Sequence, residues 1–372
     1  MKIRLANFIS AYLVQRGIRD VFSVVGGGAM HLNDALGHQQ GLRVTYHHHE
    51  QAAAMAAEAY YRVHNRVACA SVTSGPGGTN AITGVLCAFT DSIPMLVLSG
   101  QVPRTSSAAS TGSDVRFFGV QEADIISTVK KMTKYAVTVN EPEKIKYHLD
   151  KALHLATSGR PGPVWLDIPL DVQGALIDPD ALSEFSPLEV PPDRDAITDS
   201  MLRDILARIQ GAERPVLIAG SGIRLSGGHK EFLELLSVLR IPVVTCMSSV
   251  DVLPSDHPLF VGRAGPTGTR AGNFAMQNSD LLLSIGSRLG ISVTGFNFKA
   301  WARAAYRIMV DIDRAELHKE QVPVDMPICA DAREFISALS GAAALNPVTP
   351  REEWLRQCRT WKEKYPVVNA SH

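Results

Sequence analysis

The chain has 372 residues, 45% of them hydrophobic, and 37 Lys and Arg residues balance 37 Asp and Glu residues. This length predicts two domains, and the balanced charge argues against a nucleic-acid-binding surface or a polybasic membrane patch. No apolar run approaches the roughly 20 residues that a transmembrane helix needs. The five cysteines are far apart and form no C-x-x-C motif, which favours reduced thiols in a cytoplasmic protein.

Helices and strands alternate along the first half of the chain. Each predicted strand is short and apolar and is followed by a helix, which indicates a parallel sheet. The predicted helices cover 7–16, 30–36, 51–61 and 79–89, and the predicted strands cover 20–25, 43–47, 67–73, 95–99 and 164–168.

Glycines or a carboxylate stand where three of these strands give way to helices. A glycine triplet follows the first strand, Glu50 follows the second, and the run SGPGGTN at 74–80 follows the third. Ligands of parallel α/β sheets bind outside the carboxyl ends of the strands, so Glu50 is a candidate for contact with a cofactor. The alternative for Glu50 is a carboxylate in a first helical turn, where the helix dipole favours it.

A second α/β unit is predicted beyond a segment rich in Asp, Pro and Ser at 174–196, which we interpret as an inter-domain linker. Its strands are predicted at 215–219, 242–245, 280–285 and 307–311, with a helix at 230–239. The predicted fold is therefore α/β, with two doubly wound parallel-sheet domains. The predicted boundaries are 1–173, 174–196 for the linker, 197–345, and 346–372 for a final helix.

Six runs in the first domain, taken together and in order, resemble the pyrimidine-binding domain of thiamine diphosphate enzymes. They are most similar to the acetolactate synthase (acetohydroxyacid synthase) branch. The runs are VFSVVGGGAMHLNDAL (21–36), HEQAAAMAAEAYYR (49–62), TSGPGGTNAITG (73–84), DSIPMLVLSGQVP (91–103), VQEADI (120–125) and SGRPGPVWLDIPLDV (158–172). A seventh run, HPLFVGRAGPTGTRAGNFAMQNSDLLLSIGSRL (257–289), resembles the family's Rossmann-like middle domain.

The resemblance implies a catalytic role for Glu50. A carboxylate bonded to the pyrimidine nitrogen N1′ promotes the imino tautomer of the cofactor by general acid–base action. The resemblance also implies a set of residues that bind the cofactor or shape the pocket: Val25, Gly26, Gly27, Gly28, His49, Thr73, Pro76, Gly77, Asn80 and Gln121. Two of these assignments have structural alternatives, since the glycine triplet could form a plain tight turn and Asn80 could cap a helix.

Three further ligands come into question, namely FAD, NAD and a metal ion. The middle domain of acetohydroxyacid synthases binds FAD in a non-redox role, and the residues that align with that pattern are Arg160, Gly220, Ser221, Gly222, Gly286, Ser287, Arg288 and Asp311. The family's charged run after G-x-R is replaced by Leu-Gly-Ile-Ser at 289–292, so FAD and a ligand-free packing domain both stay open. NAD is disfavoured because no G-x-G-x-x-G motif occurs. Three consecutive histidines at 47–49 point to alternate faces of a strand, so no metal site is predicted there.

The function implied is that of an acetolactate-synthase-like carboligase, a transferase or lyase that decarboxylates a 2-oxo acid such as pyruvate. Val120 stands where the family often has Phe, so the acceptor is either a second 2-oxo acid or a larger ketone such as a keto-sugar.

In the family the site lies between subunits of a homo-oligomer, and a third domain binds the diphosphate and Mg²⁺ through a G-D-G…N motif. The sequence contains no Gly-Asp-Gly, so the Mg²⁺ ligands are expected outside this chain. The alternatives are a non-catalytic or half-site subunit of a two-component enzyme and a fragment of a three-domain enzyme.

Overall fold

The computed structural model describes residues 1–368 and divides into two compact units, Met1–Pro192 and a second that begins at Asp193. The division falls inside the segment interpreted as a linker. The last residues of the predicted final helical segment, 369–372, lie outside the described residues.

The first unit is built on a six-stranded sheet. The strands of the whole unit, including the separate pair β1 and β8, are β1 (Ile3–Arg4), β2 (Asp20–Ser23), β3 (Arg43–Tyr46), β4 (Cys69–Val72), β5 (Met95–Gln101), β6 (Tyr135–Thr138), β7 (Pro163–Pro169) and β8 (Leu176–Ile177). Its helices are α1 (Leu5–Gln15), α2 (Met30–His38), α3 (Glu50–His64), α4 (Pro76–Thr90), α5 (Ile125–Val129), α6 (Ile145–Thr157) and α7 (Leu170–Gln173). The sheet is parallel throughout, in the order β3-β2-β4-β5-β7-β6, and β1 pairs with β8 separately.

The core of this unit explains why its central strands are apolar. Strands β4, β5 and β7 are buried along their whole length, as parallel strands covered on both faces are. Helices α1, α2 and α6 share one buried cluster with alternate residues of β5 and β7, namely Leu96, Leu98, Val164, Leu166 and Ile168. The five predicted strands are present, with ends shifted by one or two residues.

The second unit carries another six-stranded parallel sheet. Its strands are β9 (Pro215–Ala219), β10 (Val243–Thr245), β11 (Phe260–Arg263), β12 (Leu281–Ile285), β13 (Tyr306–Asp311) and β14 (Met326–Cys329). Its helices are α8 (Asp199–Gly211), α9 (Gly222–Leu225), α10 (His229–Leu239), α11 (Arg270–Asn278), α12 (Ile291–Thr294), α13 (Arg314–Leu317), α14 (Ala332–Leu345) and α15 (Glu352–Lys364). The order is β11-β10-β9-β12-β13-β14, which is 3-2-1-4-5-6 in chain order and is the arrangement of dinucleotide-binding folds.

The final helix belongs to the core of the second unit. In α15, Trp354, Leu355 and Cys358 are buried, and the Trp354 indole N–H donates to the carbonyl of Pro215, 3.1 Å away. All five cysteines of the chain are free thiols. Among residues 1–368, no helix has the length and apolar character needed to cross a bilayer.

Candidate functional site

Three neighbouring strand ends bring the predicted site residues of the first unit together. Strands β3, β2 and β4 are adjacent and parallel, so the segments that follow them emerge at one edge of the sheet. In chain order within this sheet, β2 and β4 are the first and third strands, and the order reverses between them. This reversal is the position at which ligands bind in open α/β sheets.

Glu50 is the first residue of α3 and is 9% exposed. The helix is capped by His49, whose Nδ1 accepts the backbone N–H of Gln51 at 3.1 Å. His49 itself is exposed to solvent at this edge of the sheet. The His49 cap stabilises the start of the helix, and the helix dipole favours a carboxylate at this position.

Asn80 holds one oxygen of the Glu50 carboxylate. Its Nδ2 donates to Glu50 Oε2 at 2.9 Å, and a Cβ placed on Gly77 would lie 3.5 Å from Oε1. Helix α4 starts at Pro76 after Gly75, so Asn80 lies inside the helix and is not its cap. The capping alternative for Asn80 is therefore wrong, and its side chain is directed at Glu50.

The glycine triplet packs against the segment after β4. A Cβ on Gly26 would lie 2.5 Å from the Thr73 side chain, and one on Gly28 would lie 2.6 Å from Ser74 Oγ. The Gly28 N–H donates to Thr73 Oγ1 at 3.1 Å. This close approach of the two segments requires residues without side chains.

The middle of the triplet is open. A Cβ on Gly27 would have no neighbour within 4 Å, and the preceding Val25 is 59% exposed. Bare backbone and an exposed apolar side chain thus follow β2 at the same edge of the sheet as the buried Glu50 carboxylate. An aromatic ring that carries a hydrogen-bonding nitrogen matches this combination, so the residues present fit a pyrimidine.

Gln121 lies against the start of α4. Its backbone is in the left-handed region, with φ 56°, and a Cβ on Gly75 would lie only 2.0 Å from the Gln121 carbonyl oxygen. The neighbouring Val120 is 83% exposed. The structure therefore places Gln121 beside the Gly75–Pro76 turn and leaves the Val120 side chain in solvent.

Arg160 is not brought together with these residues. It precedes β7, and its Nε donates to Ser92 Oγ at 2.9 Å, just before β5. Because the sheet is parallel, both residues lie at the edge opposite Glu50. Arg160 therefore takes no part in the candidate pyrimidine site.

The sequence analysis does not predict the roles of two side chains that support the site, one glutamine and one glutamate. Gln173 is fully buried, and its Nε2 donates to the carbonyl oxygens of Gly28 and Ile168, each at 2.7 Å. Glu122 accepts backbone N–H groups of the loop before α5. Partial burial acts to raise the pKa of Glu122, but these N–H groups outweigh it and hold that pKa below its usual range.

The glycines of the second unit interlock with one another. A Cβ on Gly220 would lie 2.0 Å from the carbonyl oxygen of Gly286, one on Gly222 would lie 2.6 Å from its Cα, and Gly222 N–H donates to the same carbonyl at 3.0 Å. Asp311 is buried at the end of β13, where its Oδ1 accepts the Asp313 N–H at 2.9 Å. Contacts within the unit thus hold Gly220, Gly222 and Asp311 in place, and FAD binding by these residues stays a prediction.

Comparison with known proteins identifies both units. Residues 3–134 match the N-terminal TPP binding domain of thiamine pyrophosphate enzymes, and residues 202–339 match the central domain of the same enzymes. The chain is 35% identical to a probable acetolactate synthase large subunit of Methanocaldococcus jannaschii over 354 residues, which is 95% of this chain and 58% of the relative.

Two other relatives give the same picture. The acetolactate synthase large subunit of Lactococcus lactis is 35% identical over 96% of this chain and 60% of the relative. The acetolactate synthase isozyme 3 large subunit of Escherichia coli is 31% identical over 99% of this chain and 63% of the relative. The chain therefore spans about three fifths of the length of these curated relatives.

Proposed function

The chain belongs to the thiamine pyrophosphate enzymes, and from that premise we propose that it forms part of an acetolactate-synthase-like carboligase. The observation that carries the proposal is the buried Glu50 carboxylate, which accepts a hydrogen bond from Asn80. It lies at the sheet edge where the strand order reverses between β2 and β4. The large-subunit relatives support the same class of reaction.

The first unit would hold the pyrimidine of thiamine diphosphate. Val25 and the bare backbone at Gly27 offer apolar and main-chain contact to the ring, while Gly28 and Thr73 fix the wall behind it. When bound, the cofactor supplies the electron sink for decarboxylation and carbon–carbon bond formation.

Glu50 would exchange a proton with the ring nitrogen N1′. Asn80 donates to Oε2, so Oε1, on the side of Gly77, is the oxygen that we expect to carry the proton. General acid–base action by a positioned side chain contributes a factor of about 10² to 10⁴ to the rate. The burial of Glu50 limits competition from water for the same proton.

The remaining two fifths of the relatives' length has no counterpart in the printed sequence. We propose that the ligands of the diphosphate and Mg²⁺ come from polypeptide outside that sequence, and that the active form, a cytoplasmic one, contains more than one copy of this chain. The alternative is a half-site subunit that works with a separate diphosphate-binding chain.

Analysis of products tests the reaction assigned. The complete assembly, supplied with thiamine diphosphate, Mg²⁺ and pyruvate, should release carbon dioxide and form acetolactate. Added keto-sugar should divert the product if the exposed Val120 leaves room for a larger acceptor. Release of carbon dioxide with acetaldehyde as the sole organic product would reject the carboligase assignment in favour of simple decarboxylation.

FAD binding in the second unit stays a prediction. It rests on sequence likeness, while the interlocked Gly220, Gly222 and Gly286 have a sufficient cause in packing. Purified protein that releases a yellow, fluorescent flavin on denaturation would establish FAD. Protein that stays colourless after incubation with excess FAD would favour a packing role for this unit.

A further inference from the structure

The loop between β5 and α5, residues 102–124, carries four exposed apolar side chains. Val115, Phe117, Phe118 and Val120 are 42%, 63%, 60% and 83% exposed. Exposed side chains of this kind provide no burial of their own to hold a loop in one conformation. The part of the loop that carries these four side chains therefore depends on polar contacts for its shape.

Glu122 makes those contacts. Its Oε1 and Oε2 accept the Ala108 N–H at 2.7 and 2.9 Å, and Oε2 also accepts the N–H groups of Phe118 and Gly119 at 3.0 Å each. One carboxylate thus joins two places in the loop that are ten residues apart. Hydrogen bonds from backbone N–H groups to a charged acceptor are about twice as strong as neutral ones.

Tight packing confirms that the loop closes on itself at this point. A Cβ on Gly119 would lie 2.6 Å from the carbonyl oxygen of Ser106 and 2.7 Å from Val102 Cγ1. The start of the loop is tied down by Arg104, whose backbone N–H and Nε donate to the Asp171 carboxylate at 3.0 and 2.8 Å.

The residues on either side of Glu122 are held by contacts outside the loop, and Gln121 lies against the turn that begins α4. Gln121 holds a left-handed φ of 56°, a conformation that is strained for a non-glycine residue. Its carbonyl is pressed against Gly75, and the Ala123 carbonyl accepts Gln101 Nε2 at 2.9 Å. The strained residue is therefore held between two fixed neighbours.

We infer that Glu122 is a positioning residue whose carboxylate folds the 102–124 loop and so sets Gln121 and Val120 as one wall of the acceptor pocket. The inference deepens the proposed function and rests on it for the pocket, while the fold of the loop rests on the contacts alone. Glu122 acts through the loop backbone and through Gln121, and it is not proposed to touch the cofactor.

Hydrogen exchange followed by mass spectrometry tests, in the purified chain, whether the Glu122 carboxylate holds the 102–124 loop. Glu122→Ala removes every acceptor and should speed exchange of the amides of Ala108, Phe118 and Gly119 by about tenfold or more. Glu122→Gln keeps one carbonyl acceptor and should give a smaller increase. Asp114→Asn is the matched control, because Asp114 is exposed in the same loop and loses the same charge. If these three amides exchange at the wild-type rate in Glu122→Ala, the inference that Glu122 holds the loop is wrong.

Kinetics of the complete assembly test the pocket separately. Glu122→Gln should raise the KM for the acceptor or change the ratio of products at least threefold, with little change in the affinity for thiamine diphosphate. A loosened loop with unchanged acceptor KM and product ratio would overturn the link to the pocket. Absence of carboligase activity in the wild-type assembly would instead reject the proposed function and leave the exchange result standing.

Discussion

Asp167 is a buried titratable group of the first unit that the proposed chemistry does not use. It is 2% exposed at the end of β7, where Ser99 Oγ donates to Oδ1 and Gln101 Nε2 donates to Oδ2. Burial raises the pKa of Asp167 to about 7, against the opposing effect of these hydrogen bonds. Because Gln101 also binds the Ala123 carbonyl, this carboxyl lies one contact away from the 102–124 loop.

The pKa of Asp167 predicts a loss of stability as pH rises. The pKa is raised above the ordinary 3.8, so the folded state keeps a proton that the unfolded state has lost. The contribution is full below about pH 3.8 and is lost as pH rises through about 7. Asp167→Asn cannot ionise, so its Tm relative to wild type should increase between about pH 4 and about pH 8. Asp114→Asn, in which an exposed carboxylate is removed, serves as the control. A Tm difference for Asp167→Asn that stays constant over this range would contradict the prediction.

At the same scale, the sequence was informative where a residue's partners are local and uninformative where they are distant. Glu50 could be singled out because it stands at a strand-to-helix junction, which is a local pattern. Gln173 could not, since the carbonyl of Gly28 that it binds is 145 residues away. Glu122 lies inside the VQEADI run, but its hydrogen-bond donors depend on how the loop closes.

The packing of α3 on α4 is the element-scale feature that positions Glu50. Ala53, Ala54 and Ala57 of α3 are fully buried, and a Cβ on Gly84 of α4 would lie 2.6 Å from the Ala54 Cβ. The small residues let the two helices approach closely. That approach in turn brings Asn80 of α4 within hydrogen-bonding distance of Glu50.

Substitution of Gly84 should separate the two helices. Gly84→Ala introduces a clash with α3 backbone and side chain, and we expect a loss of about 1–3 kcal/mol in unfolding free energy. Gly341→Ala is the matched control in α14, where an added Cβ meets nothing within 4 Å. That change should stabilise by about 0.5–1 kcal/mol because alanine favours helix. Denaturant unfolding measures both, and a neutral or stabilising Gly84→Ala would contradict the account.

Elements with a clear pattern could be predicted from sequence, and those without one could not. The strands β4, β5, β7, β9 and β12 are mainly apolar and buried along their whole length, and the sequence predicts all five. The edge strand β6 is half-buried at every position, so neither alternation nor a continuous apolar run marks it. The final helix α15 was predicted as a helix, but its burial in the second unit follows from the contact of Trp354 with Pro215.

At the scale of the whole molecule, two parallel sheets of different strand order use their glycine turns differently. In the first unit the glycines after β2 leave open backbone at Gly27, at the same sheet edge as the buried Glu50 carboxylate. In the second unit the turns after β9 and β12 close on each other through Gly222 and Gly286. This difference is why we assign the chemistry of the chain to the first unit.

Turnover of Glu50→Gln in the complete assembly, with pyruvate, thiamine diphosphate and Mg²⁺, tests the central claim most directly. The amide keeps the size of the side chain and a bond to Asn80 but cannot exchange the proton, so turnover should fall by about 10² to 10⁴-fold. Circular dichroism should show an unchanged fold, and Glu143→Gln, at an exposed position in the same unit, should leave turnover unchanged. A Glu50→Gln assembly that turns over at nearly the wild-type rate would contradict the account.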